Sequence, residues 1–167
     1  MELLEGMSLE DMVKKFGALP PERVVYFLRQ ACLSLAEAHQ RNLVHRDIKP
    51  SNLYACRAGV EVDFVKVLDF GLAKLMDPGA ESGEDETTLS EADRPSTLTR
   101  TGAIAGTPGY MSPEQAKGAA ATPAGDCFSF GCVFYEMLSG TAPFARGTHT
   151  ETLAAIDMAE AARYAAV

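Results

Sequence analysis

His45-Arg46-Asp47-Ile48-Lys49-Pro50-Ser51-Asn52 is the stretch on which the reading of this chain turns. It stands where the sequence changes period. Upstream, Pro20-Pro21 opens a helix, and Val24, Phe27, Leu28, Ala31, Leu35 and Ala38 recur at helical spacing through about residue 40. Around and beyond it the runs are short and β-prone: Leu43-Val44, Leu53-Tyr54-Ala55 and Val62 to Leu68. Arg57-Ala58-Gly59 reads as a hairpin turn between the last two.

Further out, residues 1–6 are a short apolar run. Ser8, ahead of Leu9-Glu10-Asp11, resembles a capping box with Asp11 in the place usual for Glu or Gln. A helix over about 9–16 follows, stopped by Gly17. Asp126 through Leu138 is strongly apolar and predicts a buried helix ending near Gly140 and Pro143. Residues 150–163 are alanine-rich and helix-compatible. Residues 77–101 are acidic, rich in Ser, Thr and Pro, and without period, which predicts a long mobile loop. The chain has no internal repeat.

At 167 residues, with 47% hydrophobic and 23% charged residues, the composition is that of one globular domain with a real core. No apolar run approaches the roughly 18 residues that would span a bilayer. The net charge of −8 is concentrated between residues 77 and 94, where seven acids face only Arg94. That local acidity argues against non-specific nucleic-acid binding, which needs basic surface. Cys32, Cys56, Cys127 and Cys132 contain no C-x-x-C pair and no cluster at zinc-ligand spacing. They read as free buried thiols in a reducing cytoplasm.

Three more motifs follow the opening stretch in order: Asp69-Phe70-Gly71 after the hairpin, Gly106-Thr107-Pro108-Gly109-Tyr110-Met111-Ser112-Pro113-Glu114, and Asp126-Cys127-Phe128-Ser129-Phe130-Gly131. In order and spacing they resemble the catalytic loop, metal-binding triplet, substrate segment and buried helix of the protein kinases, and the wording is most similar to bacterial, eukaryotic-like serine/threonine kinases. The resemblance runs from residue 1 to about 147. It implies an α+β, protein kinase-like fold, mainly helical with short β-hairpins. Residues 1–167 would form a partial kinase domain, and 77–101 an acidic insertion in its activation loop. Asp69 to Glu114 spans 46 residues, long for this segment.

The resemblance also implies roles. Phosphoryl transfer needs an in-line hydroxyl, neutralised phosphate charge and fixed geometry more than covalent work. Asp47 would orient a Ser or Thr hydroxyl and accept its proton, Lys49 would place a positive charge near the moving phosphate, and Thr107 would touch both. Asn52 and Asp69 offer the oxygen ligands that Mg²⁺ prefers. Glu2, Leu4, Ser8 and Tyr54 would line the ATP site, with Met1 behind the adenine. Arg46 would pair with phosphate on Thr99 or Thr101. His45, Phe70, Gly71, Glu114 and Asp126 would be structural, His45 packing rather than acting as a base. Glu114 would be a largely buried carboxylate lacking its family partner.

The implied cofactors are ATP and Mg²⁺, and the implied partners are proteins carrying Ser or Thr, with no nucleic acid. No membrane segment is expected in this chain. A cytoplasmic setting follows, with a parent protein that could dimerise for autophosphorylation or carry an anchor. The 167 residues contain no glycine-rich phosphate loop or strand lysine, so the expectation is a missing N-terminal lobe and an inactive isolated chain. A non-catalytic binding module is the alternative. Antibiotic-type small-molecule phosphotransferases share the two aspartates and the asparagine, but lack the segment from Gly106 to Glu114.

Overall fold

The computed structural model describes residues 5–70 and 108–165, without the side chains of 61 and 160–165. The expectations for Glu2, Leu4, Gly71, Thr99, Thr101 and Thr107, and for the 77–101 insertion, lie outside the described residues.

The chain enters as a three-residue strand, β1 (Gly6–Ser8), and turns directly into helix α1 (Leu9–Phe16). Ser8 caps that helix by accepting the Asp11 N–H at 3.0 Å, and its hydroxyl donates to Asp11 Oδ2 at 2.7 Å. Asp11 therefore completes the cap through the Ser8 side chain. Glu10 and Asp11 in the first turn and Lys14 and Lys15 in the last suit the helix dipole. Leu9, Met12 and Val13 form its buried face. Gly17 ends it at φ +72°, in the left-handed region that glycine occupies without strain.

Helix α2 (Pro21–Gln40) begins on its proline and buries the six apolar residues that the spacing picks out. Phe27 and Val24 are fully enclosed. Burial of an aromatic side chain of this kind contributes about 1.5–3 kcal/mol.

Strands β2 (Leu53–Ala58) and β3 (Glu61–Val67) form the expected hairpin, and β1 adds to its far edge in the order β1-β2-β3, antiparallel throughout. Leu53 pairs with Val67 and Ala55 with Val65, while Ser8 pairs with Tyr54. The turn falls at Gly59-Val60, later than the expected Arg57-Ala58-Gly59, because a bulge between Cys56 and Ala58 carries β2 one residue further.

After the second gap come a 3₁₀ turn at Pro108–Tyr110, a short helix α3 (Pro113–Ala116), the long α4 (Pro123–Ser139) and α5 (His149–Ala165). Helix α4 starts three residues before the expected Asp126. Thr122 caps it, accepting the Gly125 N–H at 3.1 Å, and Pro123 occupies the first turn. Val133 and Met137 of α4 join Leu9, Phe27, Leu28, Ile48, Leu53 and Val65 in one core.

Two expectations need correction. Leu43-Val44 forms no strand: residues 43–49 are irregular. Leu43 and Val44 are only half-buried and have no neighbouring strand to pair with; of the apolar side chains in this stretch it is Ile48 that enters the core. Only Cys56 and Cys132 are buried, whereas Cys32 and Cys127 lie on outer faces of their helices.

Candidate active site

The irregular stretch before the hairpin hangs from one carboxylate. Asp126, 2% exposed in the first turn of α4, accepts the backbone N–H of His45 on Oδ2 and that of Arg46 on Oδ1, each at 2.8 Å. His39 Nε2, from the last turn of α2, meets the same Oδ2 at 2.7 Å. A loop without a ladder must find partners for its backbone groups elsewhere. Asp126 supplies two of them and ties α2, the loop and α4 together.

His45 is fully buried. Its Nε2 sits 2.8 Å from the Leu68 carbonyl, which can only accept, and its Nδ1 accepts the Asp47 N–H at 3.3 Å. Those partners assign the neutral, Nε2–H tautomer. Both nitrogens are committed to backbone, and the ring packs edge-on against Phe70 at 4.7 Å between centroids.

Asp47 is exposed, and two donors converge on its Oδ2: Lys49 Nζ at 2.7 Å and Asn52 Nδ2 at 3.1 Å. Asn52 is buried, and the same Nδ2 also donates to the Asp47 carbonyl at 2.8 Å. A 3₁₀ turn over Pro50–Asn52 delivers the asparagine to the head of β2. The Asn52 carbonyl in turn accepts the Leu68 N–H at 2.8 Å. That bond sets Asp69, the next residue and also exposed, beside the asparagine at the open end of the hairpin. Asp47, Lys49, Asn52 and Asp69 therefore gather at one end of β2 and β3. Two of the residues here hold left-handed backbone conformations, Arg46 at φ +74° and Asp69 at φ +64°. Such angles cost a non-glycine residue about 1–2 kcal/mol, and they persist where surrounding bonds over-determine them.

The remaining predicted residues fall as follows. Ser8 is buried and its hydroxyl is engaged in capping α1. Tyr54 is half-buried and donates its O–H to the Gly6 carbonyl at 2.9 Å across the β1–β2 pair. Glu114 is half-buried rather than largely buried, and takes a 3.4 Å bond from the Thr122 hydroxyl. It stands in the first turn of α3, where a carboxylate suits the helix N-terminus.

Sequence reasoning missed His39, Gln115 and the pair Tyr110–Glu136. The Gln115 carboxamide closes a capping box with Ser112 and donates to the Arg46 carbonyl at 2.9 Å. A Ser with Gln three residues later is a legible capping signal; its second partner is not. Tyr110 donates its O–H to Glu136, and Ser129 Oγ donates to the Tyr110 carbonyl at 2.6 Å, so α4 grips the 3₁₀ turn twice. Burial, and then the Glu136 carboxylate, push the Tyr110 phenol well above its ordinary range. Burial likewise pushes the Cys132 thiol up to about 12.

Residues 1–165 match the sequence model of the family described as protein kinase domain. Among curated relatives, the chain is 43% identical over 144 residues to "Serine/threonine-protein kinases drp72" of Corynebacterium efficiens, covering 86% of this chain and 24% of that protein. It is 36% identical over 144 residues to the serine/threonine-protein kinase PknB of Mycobacterium tuberculosis, covering 86% of this chain and 20% of the relative. It is 38% identical over the same length to the serine/threonine-protein kinase pkn3 of Myxococcus xanthus, again 86% of this chain and 24% of the relative. The chain thus spans about a fifth to a quarter of the length of these relatives.

Proposed function

Because the chain belongs to the protein kinase domain family and is of the bacterial serine/threonine type, we propose that it supplies the catalytic residues that transfer the γ-phosphate of ATP to Ser or Thr hydroxyls of proteins. The observation that carries this reading is the Asp47 carboxylate held between Lys49 and Asn52 at the hairpin end that bears Asp69.

Asp47 orients the incoming hydroxyl and receives its proton. As the oxygen–phosphorus bond to the substrate forms, the bond from the γ-phosphorus to the β-phosphate oxygen breaks, and ADP carries that electron pair away. Lys49, already against the carboxylate, would offset with its ammonium the charge that develops on the equatorial phosphate oxygens. The donor set fits Mg²⁺, which favours a carboxylate and a neutral oxygen alongside phosphates and water. Asn52 spends its amide nitrogen on Asp47, so Oδ1 is the atom that would hold the ion. Asp69 would supply the carboxylate. The bound ion would neutralise phosphate charge and fix the triphosphate. Tyr54 and Ser8, with Glu2 and Leu4, belong to the nucleotide side of this proposal, and Arg46 with Thr99 and Thr101 to its regulation.

The test is transfer of labelled γ-phosphate from ATP to a mixture of Ser- and Thr-containing peptides by the full-length gene product. Asp47→Asn is expected to lower the rate about 100-fold or more, the usual contribution of a positioned base. A rate unchanged by Asp47→Asn would remove the foundation of the reading.

A further inference from the structure

Arg46 holds a left-handed backbone angle of φ +74° immediately before Asp47. A non-glycine residue leaves that region unless the peptide groups on both sides of it are held. The peptide before Arg46 is held at its N–H by Asp126 Oδ1. The peptide after it, which joins Arg46 to Asp47, is held at both poles. Its N–H donates to His45 Nδ1 at 3.3 Å, a long bond, and its carbonyl oxygen accepts Gln115 Nε2 at 2.9 Å, the shorter of the two. The Gln115 amide cannot turn over. Its Oε1 takes the Ser112 N–H at 3.1 Å and the Ser112 hydroxyl at 3.0 Å, so a flip would set an NH₂ against donors.

We propose that Gln115 is a positioning residue for phosphoryl transfer: its carboxamide locks the Arg46–Asp47 peptide, and so the direction of the Asp47 carboxylate, to helix α3. The proposal rests on the reading of Asp47 as the proton acceptor. With the donor gone, ψ of Arg46 and φ of Asp47 regain freedom and the carboxylate swings off the line of the hydroxyl. Misaimed catalytic groups lower turnover more than ATP affinity.

Two substitutions separate this role from simple capping of α3. Gln115→Glu keeps an oxygen for the capping box, where glutamate is a usual partner, but loses the donor to Arg46. Gln115→Met keeps the length of the side chain and loses both functions. Peptide phosphorylation by the full-length gene product is measured beside thermal unfolding and amide exchange at Asp47. In both variants kcat is expected to fall about tenfold, with KM for MgATP within about twofold of wild type. Exchange at the Asp47 amide accelerates in both, while Gln115→Met, which also loses the capping box, lowers the unfolding midpoint further than Gln115→Glu. A kcat that falls in Gln115→Met alone follows the capping box and overturns the proposal, as does exchange unchanged in Gln115→Glu. No transfer by the wild-type protein sinks the phosphotransfer reading and this proposal with it. Transfer equal in wild type and Gln115→Glu sinks only the proposal.

Discussion

Asp126 concentrates more of the site's geometry than any side chain that would touch ATP. Its two oxygens receive two backbone N–H groups and the His39 ring, all in a setting nearly closed to water. Removing an acceptor from buried donors costs their full desolvation, about 1–3 kcal/mol each. Asp126→Ala is therefore expected to lower the free energy of unfolding by about 3–5 kcal/mol, read from urea denaturation. Asp126→Asn keeps one oxygen but turns an NH₂ toward a donor, so it should fall between alanine and wild type. Equal midpoints for wild type and Asp126→Ala would mean that the loop does not depend on this tether. The sequence marked Asp126 as structural through its motif. It carried no sign of His39 as a partner, because one histidine at a helix end has many possible neighbours.

Among the elements, β1 shows how a short strand can be decided by one small residue. A Cβ added to Gly6 would sit 2.0 Å from the Ala55 carbonyl oxygen and 2.7 Å from the Cys56 Cα. Glycine is needed there for close approach of two backbones, not for its dihedral freedom. Gly6→Ala should push β1 off β2, break the Tyr54–Gly6 bond and destabilise the fold by about 1–3 kcal/mol, measurable as a shift in the urea midpoint; an unchanged midpoint would show that β1 yields at no cost. At the opposite edge, Gln30 of α2 takes the place of a fourth strand. It donates to the Asp63 carbonyl and accepts the Val65 N–H, each at 3.1 Å. Helices α1 and α2 were legible at both ends, since caps, prolines and the apolar period agreed. The start of α4 was misplaced at Asp126, because the apolar run begins there and the Thr122-Pro123 cap that opens the helix lies before it. Strand β1 was not legible, because three residues carry no measurable period.

For the molecule as a whole, the grip of α4 on the turn at Pro108–Tyr110 has a consequence in alkali. The Tyr110 phenol and the Cys132 thiol both hold their protons to higher pH in the folded chain, chiefly through burial. In the unfolded chain a thiol ionises near 8.5 and a phenol near 10. Between about pH 9 and 12 the native state binds more protons than the unfolded state, so stability is full below that window and falls as pH rises through it. The urea midpoint should drop from pH 8 to pH 11, and the combined change Tyr110→Phe with Cys132→Ala should flatten the decline; an equally steep decline in that variant would place its origin elsewhere. No helix among the described residues is long and apolar enough to cross a membrane. By itself the sequence determined the family, the order of its motifs and the buried faces of the helices, because motif spacing and apolar period are written along neighbouring positions. Only the tertiary structure decided that Asp126 would hold His45 from 81 residues away, that Gln115 would reach Arg46 across 69, and which nitrogen of His45 carries its proton. A hydrogen bond between distant residues depends on how the elements pack, and packing leaves no period in the local sequence.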